Sequence, residues 1–484
     1  MNLKNKKLIN ILLILFLVYF SFGMIMSYYF NVARYFDFVF SADCPRVLGD
    51  LTLLNYNHYR AVVHPLFIII FNPIVTILKN FMNNDIIATV FIQSVLGIFC
   101  TYLVFKILNK ILNNKTNSIL LAILFAISSG QIIFTATVET YIFAQFFLLI
   151  MWYYFLSNKD KNYDFRNYVV TILLGVAALS ITITNFMQFL IALFFFFTLN
   201  TKNKNAFLKS VAIVIGVLAL SVFLATIQNL IWPSAPNFFV KNITDLINSS
   251  SEEKLYINKV LSKESFLNVF NTLFSNSMFL GDISVTEDGR LMFFSNSLIT
   301  SLISVVMTLF ILILNILYIF KRKFKIFEDK FYLAISFSLL FNIVLHLFYG
   351  NSCSFLYVCH FNFLLLFNIV YIFEKFNFIK KKYIILALII IFCFDIFNMF
   401  KIVKILRNVF EPIGYVQKFP FLIFSFTLSL LLIINFKNNF TRILGVIILF
   451  FIGMLCWSFI NNTCIFCKNN IFNIYNPVLL RYEN

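Results

Sequence analysis

The sequence predicts an all-α polytopic membrane protein, and three observations carry that prediction. Hydrophobic residues make up 61% of the 484-residue chain, charged residues only 12%, and the mean hydropathy is +0.90. A soluble globular chain carries roughly 25% charged residues. Apolar runs of about 18 or more residues, enough to span a bilayer core as helix, recur along the whole length. The basic residues behind the net charge of +18 fall in short clusters between these runs. They therefore read as cytoplasmic loops and not as a nucleic-acid surface. The 67 phenylalanines accompany abundant Asn, Lys and Ile; they read as compositional bias and carry no mechanistic weight.

Thirteen membrane helices are expected, at about residues 8–30, 85–105, 118–136, 140–156, 167–183, 186–199, 207–231, 295–320, 331–349, 355–373, 383–400, 419–436 and 440–460. The first follows Lys4, Lys6 and Lys7 in the manner of a signal peptide. Its apolar run reaches Phe30 with no small-residue cleavage site, so it reads as an uncleaved helix. The fifth and sixth are short and joined by a tight turn near Asn185. The stretch at 64–81 begins VHPLF and is interrupted by Asn72-Pro73. It either crosses the membrane or lies at the outer surface, and charge decides between these. With the stretch outside, the cytoplasmic segments hold 23 of the 38 Lys and Arg residues in about 70 positions. This places the N-terminus inside, the C-terminus outside, and two long outer loops at about 31–84 and 232–294.

The first outer loop is the segment richest in chemistry, reading FSADCPRVLGDLTLLNYNHYRAVVHPLF from Phe40. Asp43 lies between the small Ala42 and the Cys44-Pro45 turn, which exposes its carboxylate, and Arg46 three residues on favours the ionised form a general base needs. Asp37 lies among aromatics at headgroup level, and Asp50 reads as the cap of a short surface helix beginning at Leu51. Arg60 and His64 are candidate cationic ligands for a phosphate leaving group. Glu139 falls in the short outer turn TATVETY, where an acid between apolar helices must be paired or wet. All four histidines lie toward the outer side, and Tyr357 and His360, three apart, share a helix face as a candidate substrate wall. Asp395, inside a helix, is explained by a local pair with Asn398 or Lys401. The cysteines show no metal-ligand spacing. Cys464 and Cys467 form a C-x-x-C that reads as a disulfide or a chance pair, because only half a zinc ligand set is present.

These segments resemble the GT-C superfamily of membrane glycosyltransferases, in particular the bacterial relatives of protein O-mannosyltransferases and of the lipid A aminoarabinose transferase. SADCPR resembles the first-loop acidic motif, with Cys44 where many members carry a second acid. VHPLF resembles the H-P-P-L segment that opens a juxtamembrane helix, with Leu66 for the second Pro. TVETY resembles the second acidic turn through Glu139. The resemblance covers the architecture of residues 1–294 as a catalytic module, with residues 295–484 as the variable C-terminal helices and outer tail. It implies a polyprenyl-phosphate-linked sugar as donor and a lipid, glycan or protein as acceptor. It implies Asp43 as base, Glu139 as the second catalytic acid, and Arg46, Arg60, His64, Tyr357 and His360 as donor-phosphate or substrate ligands. No metal ligand set is indicated; a divalent metal is compatible with the acids but nothing in their spacing calls for one.

Two other function classes share this composition. A lipid-linked sugar transporter or flippase predicts charges near helix midplanes, repeat symmetry or broken helices; here the midplanes are nearly charge-free and the candidates gather at one face. A polysaccharide polymerase works on the same face with lipid-linked oligosaccharides. A scaffold without chemistry is the third alternative.

Overall fold

A computed structural model describes residues 3–158, 164–199, 205–240, 268–278, 283–286, 289–293, 298–348 and 351–410. Residues Met1–Thr286 and Arg290–Val409 form one compact unit. Its described residues are almost entirely helical, and among them seven helices are long and apolar enough to cross a membrane, or nine if each of two bent pairs counts as one span.

All eleven helices expected before residue 410 have a helical counterpart. In chain order the helices are α1 (Leu3–Gly23, continuing as a π-helical turn Met24–Tyr29), α2 (Cys44–Thr52), α3 (Phe67–Met82), α4 (Asp85–Leu112), α5 (Lys115–Ala126), α6 (Ser129–Ala136), α7 (Tyr141–Asn158) and α8 (Phe165–Ile181). They continue with α9 (Asn185–Leu193), α10 (Ala206–Ile231), α11 (Leu298–Arg322), α12 (Lys330–Phe348), α13 (Asn362–Lys375) and α14 (Lys381–Val409). A 3-10 helix, Asn351–His360, precedes α13. The expected helices at 419–436 and 440–460, and the Cys464–Cys467 pair, lie outside the described residues.

The helices depart from expectation in three places. The span expected at 118–136 is broken into α5 and α6 with a 56° bend, and the 3-10 helix meets α13 at 59°. Asn72-Pro73 does not interrupt the 64–81 stretch, because α3 runs through Pro73. At 16 residues and about 1.5 Å rise per residue it reaches about 24 Å, short of a ~30 Å hydrocarbon core. Asp50 does not cap a helix: α2 begins six residues before it, with Asp43 at the N-cap and Pro45 in the first turn, where proline's missing N–H costs nothing.

Asparagine sets several helix boundaries. Asn83 ends α3 in the left-handed region (φ 52°), and the next residue, Asn84, starts α4 by accepting from the Ile87 N–H at 2.9 Å. Asn113 and Asn114 repeat the arrangement between α4 and α5. Asparagine tolerates positive φ and also caps well, so adjacent asparagines stop one helix and start the next.

Glycine lets the central helices approach closely. A Cβ on Gly97 of α4 would stand 2.5 Å from Thr135 of α6, and one on Gly23 of α1 would stand 2.6 Å from Val90. Such small residues replace hydrophobic driving force with tight packing between membrane helices.

The bundle has two chemically different ends. At one end the helix termini carry the basic loops. Lys321 Nζ donates to the Lys375 carbonyl at 2.7 Å and Lys330 Nζ to the Leu199 carbonyl at 2.9 Å. There Tyr318 and Tyr371 both donate to the buried Asp329 carboxylate, tying α11, the start of α12 and α13 together. At the other end the 37–66 segment, the turn between α6 and α7, residues 232–240, a two-stranded hairpin (Ile283–Val285 with Leu291–Phe293) and the 3-10 helix come together.

Candidate functional site

The site grows from the turn that starts α2. As N-cap, Asp43 uses no side-chain cap bond, which leaves its carboxylate for other partners. Arg46 and Arg60 both reach Oδ2, Arg60 Nη2 at 2.6 Å. No donor among the described residues meets Oδ1, and the side chain is 21% exposed. Arg46 is oriented from its other side, donating to the Tyr59 hydroxyl and lying over that ring at 5.1 Å. Among the described residues the Arg60 side chain is anchored through Asp43, and its Nε–H is buried with no acceptor among them. A guanidinium with one N–H in an ion pair and another unused retains the capacity to donate to a further anionic oxygen.

Glu139 lies directly behind Asp43 and is 3% exposed. Its Oε1 accepts the Asp43 backbone N–H at 3.2 Å, and its Oε2 accepts the Thr140 N–H. Burial raises its pKa, opposed by the Thr140 hydrogen bonds and the charges of Arg46 and Arg60. The turn is held from α4 by Gln93, whose Nε2 donates to the Thr137 carbonyl at 2.8 Å and the Glu139 carbonyl at 3.1 Å. Sequence reading missed Gln93. A glutamine within an otherwise apolar span was the available signal, since such residues are retained where they have a partner.

The other predicted residues divide. Asp50 is buried, with Oδ1 2.7 Å from His58 Nδ1, while His58 Nε2 faces the Leu54 carbonyl at 3.3 Å. This pair braces the loop beneath the site and does not open into it. His64 is not placed as a cationic phosphate ligand. Its Nδ1 meets the Ile181 carbonyl at the end of α8, and desolvation lowers its pKa to about 4, with Arg60 and Arg46 adding to the shift and the carbonyl opposing it. The imidazole is thus neutral at physiological pH and pins the loop to α8.

Tyr357 and His360 lie on the 3-10 helix, where residues three apart eclipse, with ring centroids 6.3 Å apart. Tyr141, two residues after Glu139, packs against both at 5.5 and 5.2 Å. The Glu139 turn and the His360 region are therefore joined through Tyr141. Gln188 donates to the His360 carbonyl at 2.8 Å, satisfying backbone at the helix break. His360 Nε2 is buried without a partner among the described residues. Asp395 is buried beside the buried Asn398 on α14.

The second outer loop contributes at both its ends. Trp232 packs on Ala61 and Ile68, and Ser234 donates to the Tyr56 carbonyl at 2.6 Å. The hairpin joins residues 38–40 by two backbone bonds, Phe40 N–H to the Leu291 carbonyl at 2.9 Å and Leu291 N–H to the Phe38 carbonyl at 2.6 Å. Phe40 is held at φ 50° and Ser41 at 62°. Left-handed backbone costs non-glycine residues of order 1–3 kcal/mol and persists only where the surroundings enforce it.

Among the described residues no three His, Cys, Asp or Glu side chains converge as a metal site. Comparison with protein-family models, characterised proteins and solved structures finds no match to this chain.

Proposed function

We propose that the protein is a GT-C type glycosyltransferase that moves a monosaccharide from a polyprenyl-phosphate donor to an acceptor hydroxyl at the outer face of the membrane. The observation that carries the reading is one ion pair with two unused functions. Asp43 Oδ1 has no donor among the described residues and is left to accept a proton, and the buried Arg60 Nε–H has no acceptor among them and is left for an anionic oxygen once the site is uncovered. In the reaction the acceptor hydroxyl gives its proton to Asp43 Oδ1 as its oxygen bonds to the anomeric carbon. The bond from that carbon to the phosphate oxygen breaks, and polyprenyl phosphate leaves with both electrons, inverting the centre. Arg60, with Arg46 behind it, takes the charge that develops on the phosphate. Glu139 holds the Asp43 backbone, and the Tyr141–Tyr357–His360 wall offers stacking faces and an unused imidazole nitrogen to a sugar ring. The acceptor is a lipid, glycan or protein. The basic loops at the opposite end support a cytoplasmic position for that end and an outer position for the site. Thirteen crossings remain the proposed count.

Mass spectrometry of lipid copurified with the protein tests the donor class, with polyprenyl phosphate expected. Asp43→Asn should retain that lipid while transfer falls by at least about 100-fold, as for a lost general base. Near-normal transfer by Asp43→Asn would remove Asp43 from the role.

The lipid-linked sugar transporter gains one observation. The two broken spans abut, since a Cβ on Gly130 of α6 would meet Val358 at 2.7 Å and Asn362 at 3.3 Å, and broken helices are common in transporters. Movement of a lipid-linked sugar across proteoliposomes by the Asp43→Asn protein, with no transfer by the unaltered one, would favour this reading.

A further inference from the structure

Glu139 is 3% exposed and the Asp43 side chain 21%. A lipid-linked sugar cannot bring its anomeric carbon to these groups unless something moves. Strain shows where. Asp37, Phe40 and Ser41 all have positive φ, at 57°, 50° and 62°, immediately before Asp43. Aspartate adopts that region with modest penalty, but for a bulky residue such as Phe40 it is an outlier that must be enforced. The fold is closed on itself by the Asp37 N–H to the Ala42 carbonyl at 3.0 Å and the Ala42 N–H to the Val39 carbonyl at 2.9 Å.

The enforcing contacts come from two remote parts of the chain. The hairpin supplies its two backbone bonds at Leu291, and Arg290 Nη1 donates to Ser41 Oγ at 3.3 Å. The 3-10 helix supplies Phe355, 4.6 Å from Phe40 between centroids, and Cys353 Sγ, 3.1 Å from Ser41 Oγ. Phe293 closes the aromatic cluster, 4.9 Å from Phe40 and 4.6 Å from Phe355. Breaking these contacts releases strain in the same movement, which lowers the cost of opening.

We propose that residues 37–42 form a sprung latch, held shut by the paired strands 283–285 and 291–293 and by the 3-10 helix, whose release uncovers the Asp43–Glu139 pair for a bulky lipid-linked substrate. The need for opening rests on the proposed substrate class; the latch itself is tested without substrate.

Cys44, buried beside Asp43, is a native reporter of opening, since burial also raises its thiol pKa and keeps it unreactive while covered. In the full chain in nanodiscs, Ser41→Cys places a second thiol against Cys353, within disulfide reach after a small rotation. Iodoacetamide modification of Cys44 is followed by peptide mass spectrometry, which separates it from the other cysteines. The oxidised, cross-linked protein should modify Cys44 at least about 10-fold more slowly than the reduced one. Ser41→Ala, which removes both side-chain contacts without a cross-link, should modify it faster at an unchanged thermal midpoint. Failure of residue 41 to cross-link to Cys353 overturns the latch, as do equal Cys44 rates in locked and reduced protein or an unaltered rate in Ser41→Ala. Transfer is scored separately: normal gating in a protein that neither binds polyprenyl phosphate nor transfers sugar would overturn the proposed function and leave the latch standing.

Discussion

The backbone N–H of Asp43 donates to Glu139 Oε1 at 3.2 Å, joining two acids that lie 96 positions apart in the chain. The bond is possible because each acid sits at the start of a helix. Asp43 is the N-cap of α2 and Glu139 precedes α7. The Asp43 carboxylate makes no cap bond to its own helix and is left to the site, whereas both Glu139 oxygens are taken, by the Asp43 and Thr140 N–H groups.

Gln93 is the positioning residue behind this bond. Gln93→Met preserves length and volume but leaves the Thr137 and Glu139 carbonyls without their donor. Each buried carbonyl left unsatisfied costs about 1–3 kcal/mol. The thermal midpoint should therefore fall, and kcat of the proposed transfer should drop by about 10-fold or more with little change in donor KM, because orientation and not donor contact is lost. Unchanged kcat alongside a lowered midpoint would reduce Gln93 to a structural role.

Asp50 and His58 should matter through stability. Both are buried and paired at 2.7 Å, and Asn72 ties the Asp50 carbonyl to α3 at 2.8 Å. Leaving one partner of a buried hydrogen bond unsatisfied typically costs about 1–3 kcal/mol. His58→Ala should lower the thermal midpoint in detergent by more than any single change at Tyr59, which is exposed. Asp50→Asn keeps an acceptor for His58 and should be milder than His58→Ala, yet harsher than its expected role as a surface cap implied. An unaltered midpoint for His58→Ala would show that the pair does not brace the loop.

Orientation can be read by labelling. Thr137 is fully buried and unsuitable as a probe, whereas Asn57 and Asn113 are exposed at the site end and the basic end. Single cysteines at these positions, in a background lacking the native ones, should react with an impermeant maleimide from opposite sides, Asn57→Cys from outside. Labelling of both from one side would overturn the orientation and the outer placement of the site.

Much of the helix pattern was legible from the sequence because membrane helices leave a local signal. An apolar run of bilayer length needs no partner to be recognised, and paired asparagines mark helix ends through their own backbone preferences. The acids of the candidate site were legible for the same reason: a charge such as Glu139 between apolar helices stands out from its neighbours. What those charges touch is a matter of long-range packing. The ion pair from Arg60 to Asp43 spans 17 residues, the Asp43–Glu139 bond 96, and the Ser41–Cys353 contact 312. No periodicity encodes such pairings. His64 carries the same lesson, since desolvation against α8 and not its position in the loop makes it neutral. By itself the sequence determined where helices form and which residues can carry charge, because those depend on local hydrophobicity and side-chain chemistry. Only the tertiary structure decided which oxygen meets which nitrogen, how deeply the site is covered and where the backbone is strained, because each of these depends on packing between segments far apart in the chain.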